Sequence, residues 1–108
     1  MAAAPIHVTE AESEVLAALW RSGPLPAARL IDQVKARRDW GEATIKTLLG
    51  RLMQKKAIRS VREDGRLLYH PLVSRQTYLE AEVRALAARL FDGDPHKLAA
   101  FVRETWGG

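Results

Sequence analysis

The side chains in this sequence best placed to do chemistry are hydrogen-bond donors rather than nucleophiles. They cluster in residues 41–58, where Thr44, Lys46, Thr47, Arg51 and Gln54 interleave with an apolar series. Ile45, Leu48, Leu49, Leu52 and Met53 fall at i, i+3, i+4, i+7 and i+8, which at about 100° per residue makes one stripe of an α-helix. The opposite face carries Ala43, Thr47, Gly50, Arg51 and Gln54, with Thr44 and Lys46 on its shoulders. Glu42 is its one carboxylate and lies in the first turn, where the helix dipole favours an anion. A solvated helix ordinarily mixes Glu with Lys to gain i,i+4 pairs. Thr, Gln and Arg can instead hydrogen-bond base edges and phosphate oxygens, and small residues permit a close approach. Gly50 costs about 1 kcal/mol relative to Ala within a helix. It is either a tolerated substitution or a place where backbone lies against DNA. From this segment alone, a recognition helix over 42–56 and a plain surface helix both remain open.

Other chemistries find little support. His7, His70 and His96 are scattered, cysteine is absent, and no HExxH-type pair offers a metal site. No nucleophile elbow or phosphate-binding glycine loop is present, and Gly93-Asp94-Pro95 reads as a helix junction. We therefore expect no enzyme, no metal and no cofactor. The net charge of +4 is unevenly placed: residues 1–34 carry −2, residues 35–66 carry +6, and residues 67–108 are neutral. A localised basic patch suits a polyanion. A membrane surface is a poorer fit, because no lipid anchor or apolar face accompanies the charge. No apolar run approaches the ~18 residues of a membrane span, and the N-terminus has no signal-peptide pattern, so a soluble cytoplasmic protein is expected.

A chain of 108 residues allows one domain, or one domain with a short appended element. Thr9 and Glu12 form a capping box for a first helix near 10–22, with Ala11, Val15, Leu16, Leu19 and Trp20 as its apolar face and Ser22-Gly23-Pro24 as its stop. Leu25 can be extended. A second helix spans about 26 or 27 to 37, with Leu30, Ile31 and Val34 inward, and Trp40 reads as a core plug in the link to the third. Two strand-like runs, 58–63 and 66–70, flank Asp64-Gly65, a strong hairpin signal, and Arg59, Arg62 and Arg66 make that hairpin basic. Three helices and a hairpin in this order give a mainly α fold with a small β-hairpin, a winged helix-turn-helix over residues 1–73. Residues 74–108 form a helical segment of their own. Ser74 caps a helix near 75–92, where Leu79, Val83, Leu86 and Leu90 make an a/d seam widened by Tyr78, Ala87 and Phe91. Asp94-Pro95 opens a fifth helix, with Leu98, Phe101, Val102 and Trp106 as its apolar side. These helices either pack back on the first domain or pair with a second copy. The seam favours pairing.

The chain resembles the penicillinase-repressor group, the BlaI/MecI type that also includes copper-responsive CopY-type repressors. The resemblance is carried by Thr9-Glu10-Ala11-Glu12 through Leu19-Trp20 and by Trp40 through Leu52. It continues in Lys55-Lys56, Asp64-Gly65-Arg66 and Tyr69 through Val73. It implies a homodimeric repressor covering a palindromic operator in double-stranded DNA, with the dimer made by the C-terminal helices. The family's base-reading positions fall on Ala43, Thr44, Lys46, Thr47 and Arg51; Arg62 and Arg66, flanking the tight turn of the hairpin, are expected to hold phosphate rather than to read sequence. Position 43 is often larger and polar in the family, and a glycine commonly stands where this chain has Lys56. The cysteine cluster of the copper branch is missing, which argues against copper sensing. In the penicillin-responsive members a signalled protease cuts the C-terminal helices between Asn and Phe, a bond that aligns with Ala100–Phe101 here. Derepression by proteolysis or by loss of the dimer is the corresponding expectation. The rival expectation is a winged-helix interaction module that binds protein or RNA.

Overall fold

Five helices and one hairpin follow one another in the computed structural model, which describes residues 6–107. They are α1 (Glu10–Ser22), α2 (Ala27–Arg37), α3 (Glu42–Gln54), β1 (Ile58–Glu63), β2 (Arg66–Pro71), α4 (Arg75–Leu90) and α5 (Pro95–Trp106). The capping box at α1 is complete. Thr9 Oγ1 accepts from the Glu12 backbone N–H at 3.1 Å, and Glu12 Oε1 accepts from the Thr9 N–H at 2.9 Å. Such a cap stabilises a helix by about 1 kcal/mol. Gly23, at φ +78°, ends α1 in a conformation that L side chains avoid. Leu16, Leu19, Leu30, Ile45, Leu52 and Ile58 are all buried where α1, α2, α3 and the first strand converge. Leu25 is extended as expected and pairs with Tyr69, adding one bridge beside the hairpin through bonds of 3.3 and 2.8 Å. The Trp20 indole donates to the Val73 carbonyl at 2.9 Å, fastening the end of the hairpin region to α1.

Three local expectations need correction. Trp40 is only half-buried, with the Arg38 guanidinium 5.7 Å from its ring, so it lies at the rim rather than plugging the core. Met53 remains 40% exposed, because it sits at the edge of the stripe in the last turn of α3. That helix ends at Gln54 and does not continue to 56. Lys56 takes φ +61°, its N–H donates to the Met53 carbonyl at 3.0 Å, and the Ala57 N–H donates to the Leu52 carbonyl at 2.9 Å. This is a Schellman ending, with a lysine in the left-handed position that usually takes glycine. A side chain there costs about 1 kcal/mol, offset in part by the burial of Ala57. The hairpin turn has Asp64 at φ +51° and Gly65 at φ +76°, both positive as a two-residue type I′ turn requires.

The chain divides into two compact units between Ser74 and Arg75. In the second unit α4 stops two residues earlier than its apolar pattern implies. Asp92 (φ +53°) and Gly93 (φ +76°) reverse the chain, and the Gly93 N–H donates to the Ala87 carbonyl at 2.9 Å. Asp94 caps α5 through Oδ1, which accepts from the His96 N–H at 2.9 Å. Ala87 is buried, Leu86, Phe91 and Leu98 are half-buried, and the Phe91 and Phe101 rings lie 5.7 Å apart. Leu79, Val83, Leu90, Phe101, Val102 and Trp106 are exposed. Among the described residues no helix is long and apolar enough to cross a membrane.

Candidate nucleic-acid interface

Burying Ile45, Leu48, Leu49 and Leu52 turns the other side of α3 outward. Ala43, Thr44, Lys46, Thr47, Gly50, Arg51 and Gln54 are all exposed there. Their capacities differ. The Thr47 hydroxyl donates to the Ala43 carbonyl at 3.0 Å, so what it offers outward is its methyl group and its acceptor lone pairs. Lys46 lies 3.5 Å from Glu42 in an exposed i,i+4 pair that softens its charge. No ion pair among the described residues engages Arg51, which is therefore the strongest free donor on this face. A methyl group added at Gly50 would meet nothing within 4 Å outside its own helical turns. No packing among the described residues explains that glycine.

The antiparallel register sets Arg62 opposite Leu67, Glu63 opposite Arg66, and Arg59 opposite His70. Side chains alternate across a strand, so Arg62 leaves one face of the wing, while Arg59 and Arg66 leave the other. The sequence placed Arg62 and Arg66 on either side of the turn, and did not show that they diverge. Arg62 curls over the turn, its Nη1 donating to the Gly65 carbonyl at 3.4 Å. Glu63 is drawn along the strand to His70, with its Oε1 3.1 Å from the ring Nε2.

Lys55 differs from the other cations of the basic segment in being paired with a buried carboxylate. Its ammonium donates to Glu12 Oε1 at 2.6 Å and to the His7 carbonyl at 2.9 Å. Glu12 is 1% exposed, the one buried charged side chain among the described residues. Sequence reasoning gave Glu12 its capping role but could not supply its partner, which lies 43 residues away with no local pattern to mark it. Burial by itself would raise the Glu12 carboxyl; the Lys55 hydrogen bond and charge, with the Thr9 bonds, outweigh it and hold the group below the ordinary carboxylate range. Glu14 is lowered as well, chiefly by its hydrogen bond from Arg38 at 2.7 Å.

These two shifts fix an acid response. A carboxyl lowered by folding adds stability that is fully present above its unfolded value and is lost as pH falls through its folded one. The melting temperature should therefore hold through neutral pH and drop below about pH 4. Glu12→Gln should flatten that acid limb. A melting temperature that rises on acidification would contradict this assignment, and thermal denaturation across pH 2–7 checks it.

The described residues hold no cluster of His, Asp or Glu fit for a metal ion. The penicillinase repressor family matches the chain over residues 8–105. An uncharacterized 16.5 kDa protein of Latilactobacillus sakei is 33% identical over 84 residues, covering 78% of this chain and 58% of that protein. The penicillinase repressor of Bacillus licheniformis is 26% identical over 87 residues, covering 81% of this chain and 68% of the repressor. The methicillin resistance regulatory protein MecI of Mammaliicoccus sciuri is 32% identical over 67 residues, or 62% of this chain and 54% of MecI. The chain thus spans little more than half the length of two of these three relatives. Among solved structures, the monomeric form of Bacillus licheniformis BlaI in complex with the blaP half-operator matches at a TM-score of 0.62 and 27% identity, covering 68% of this chain and 92% of that one. The DNA-binding domain of the repressor BlaI matches at 0.60 and 26%, over 68% and 89%. With its winged-helix fold and a family match across nearly its full length, the chain belongs to the penicillinase repressor family.

Proposed function

We propose that this chain is a homodimeric transcriptional repressor that covers a palindromic DNA operator. The observation that carries the reading is the outward face of α3, small and cationic, with no carboxylate beyond Glu42, beside a basic wing. The likeness to BlaI bound to a half-operator supports it. A major groove about 12 Å wide admits an α-helix. With α3 in the groove, Ala43 and Gly50 let the backbone approach, Thr44 and Thr47 meet base edges or a thymine methyl, and Lys46 and Arg51 donate to acceptors such as guanine O6 and N7. Acting on DNA would place the protein in the cytoplasm. Residues 1–73 would hold the DNA and residues 74–108 the dimer, because the large exposed apolar side chains of α4 and α5 are a surface of the kind that marks an interface. Hydroxyl-radical footprinting on the gene's own upstream DNA tests the whole. Two related half-sites should be protected about one helical turn apart, or a multiple of it. A single unpaired site would remove the palindrome from the proposal.

The wing's part is to hold phosphate. Arg66 is exposed, and no ion pair among the described residues neutralises it. Removing a phosphate contact lowers binding to every sequence alike and makes the log–log salt slope shallower by about one. That is the result expected of Arg66→Ala. A loss confined to the specific operator would show that the wing reads bases or groove shape instead.

Loss of the dimer is the proposed route to derepression. A cut at Ala100–Phe101 would detach Phe101, Val102 and Trp106, all exposed and apolar. A palindrome is held by both subunits, so a weaker dimer lowers occupancy steeply. Protein truncated after Ala100 should sediment as a monomer at micromolar concentration and lose operator binding. If it dimerises and binds like the full chain, cleavage at this bond is not the switch.

A further inference from the structure

We propose that Lys55, although it sits in the most basic segment of the chain, is not a DNA ligand but a positioning residue that sets α3 against the start of α1. The proposal rests on the DNA-binding reading above and assigns a role within it. The geometry is that of a three-way pin. The Lys55 ammonium meets Glu12 Oε1 at 2.6 Å and the His7 carbonyl at 2.9 Å, and the same Glu12 oxygen accepts the Thr9 N–H at 2.9 Å. One buried carboxylate therefore closes the N-terminus of α1 and takes the ammonium from the C-cap of α3. The Lys55 side chain is 32% exposed and directed inward, whereas the adjacent Lys56 is exposed and makes no ion pair among the described residues.

The local chain explains the division of labour between the two lysines. Lys55 is the last residue in right-handed helical conformation, at φ −76°. Lys56 then turns to φ +61°, which sends the following backbone, and its own side chain, in a new direction. Buried charges need a partner, and leaving one alone is strongly unfavourable. Pulling Lys55 out toward a phosphate would strand Glu12 at 1% exposure. Coulombic and hydrogen-bonding terms thus both oppose its recruitment by DNA. What the pin can do for binding is indirect. Base readout requires donors held to within a fraction of an ångström, and this contact ties the end of the reading helix to the N-terminal segment, where Val8 is itself buried.

The test compares the full chain with Lys55→Met and Glu12→Gln. The probes are a duplex selected by the wild-type protein from a randomised pool and one duplex of unrelated sequence, over a range of salt. Glu12→Gln keeps an acceptor for the Thr9 N–H but removes the charge that holds Lys55, and it alters a residue on α1 rather than on the reading helix. Both variants should lower the ratio of selected to unrelated affinity by roughly tenfold, the discrimination of about one well-aligned base contact. Neither should make the salt slope on the unrelated duplex shallower. Simple loss of folded protein scales both affinities together and leaves ratio and slope unchanged, so an unchanged ratio overturns the proposal. A slope shallower by about one in Lys55→Met makes Lys55 a phosphate ligand and overturns it too. Failure of the parent reading looks different: wild-type protein would show no preference for any selected duplex, and both claims would fall.

Discussion

Arg51→Ala is expected to weaken binding to a selected duplex by roughly 1–3 kcal/mol, about 5- to 150-fold, while unrelated duplexes lose much less. Arg51 is singled out because its neighbours are partly engaged. Thr47 donates back to Ala43, and Lys46 is shared with Glu42. An arginine with no such partner can present its planar fork to the two acceptors of a guanine edge. The companion variant is Gly50→Ala. Among the described residues a methyl there meets nothing within 4 Å outside its own helical turns, so the folded protein should gain about 1 kcal/mol of stability from improved helix propensity. Its affinity for DNA should nonetheless fall, because the methyl stands between the helix backbone and the groove. Opposite signs for stability and binding are the mark of a glycine kept for an external surface. Should Gly50→Ala improve both, close approach is not its purpose. Denaturation midpoints and fluorescence anisotropy on labelled duplexes supply both readouts.

If α4 and α5 form the proposed dimer, Leu90→Asp is expected to yield monomers and to abolish cooperative operator binding. Leu90 is 62% exposed and Val83 42%, whereas Leu86 in the middle of the seam is already half-buried within one chain. A charge at Leu86 would disturb its own unit as well as the interface, so Leu90 is the cleaner position. Burying a leucine stabilises by about 1.5–3 kcal/mol, and a dimer of this kind buries each seam residue twice. Placing two aspartates at such an interface removes that term and adds desolvation and repulsion. Sedimentation velocity at micromolar concentration should show wild-type dimer and variant monomer. A wild-type monomer under those conditions would overturn the dimer proposal, and the exposed residues of α4 and α5 would then need another role.

Much of this architecture was legible because it is local. The capping box at Thr9 and Glu12, the stop at Gly23, the 3–4 spacing of Ile45, Leu48, Leu49 and Leu52 in α3 and the Asp64-Gly65 turn each act over a few residues, and each forms as the pattern implies. The order of elements then leaves few alternatives to a winged helix. What could not be read depends on distance or on departures from rule. A lysine at φ +61° shortens α3, since nothing in Lys55-Lys56 announces a stop that glycine normally makes. The Lys55–Glu12 pin spans 43 residues. Counted in the sequence, Lys55 added to the basic patch; in the fold its charge is compensated from within. The hairpin register likewise separates Arg62 from Arg66, which charge counting had merged.

In the proposed function the exposed face of α3 reads duplex DNA by sequence while the wing holds phosphate. A salt titration of the full chain against three probes tests it most directly: a duplex selected from a randomised pool, an unrelated duplex, and an RNA of the selected sequence. At about 150 mM salt the selected duplex should bind at least ~1,000-fold more tightly than the unrelated one. Binding to both duplexes should fall steeply as salt rises, with about 0.9 units of log–log slope per phosphate neutralised, and the RNA should gain nothing from carrying the same sequence. Equal affinity for all three probes, or RNA bound more tightly than the selected duplex, would contradict the account.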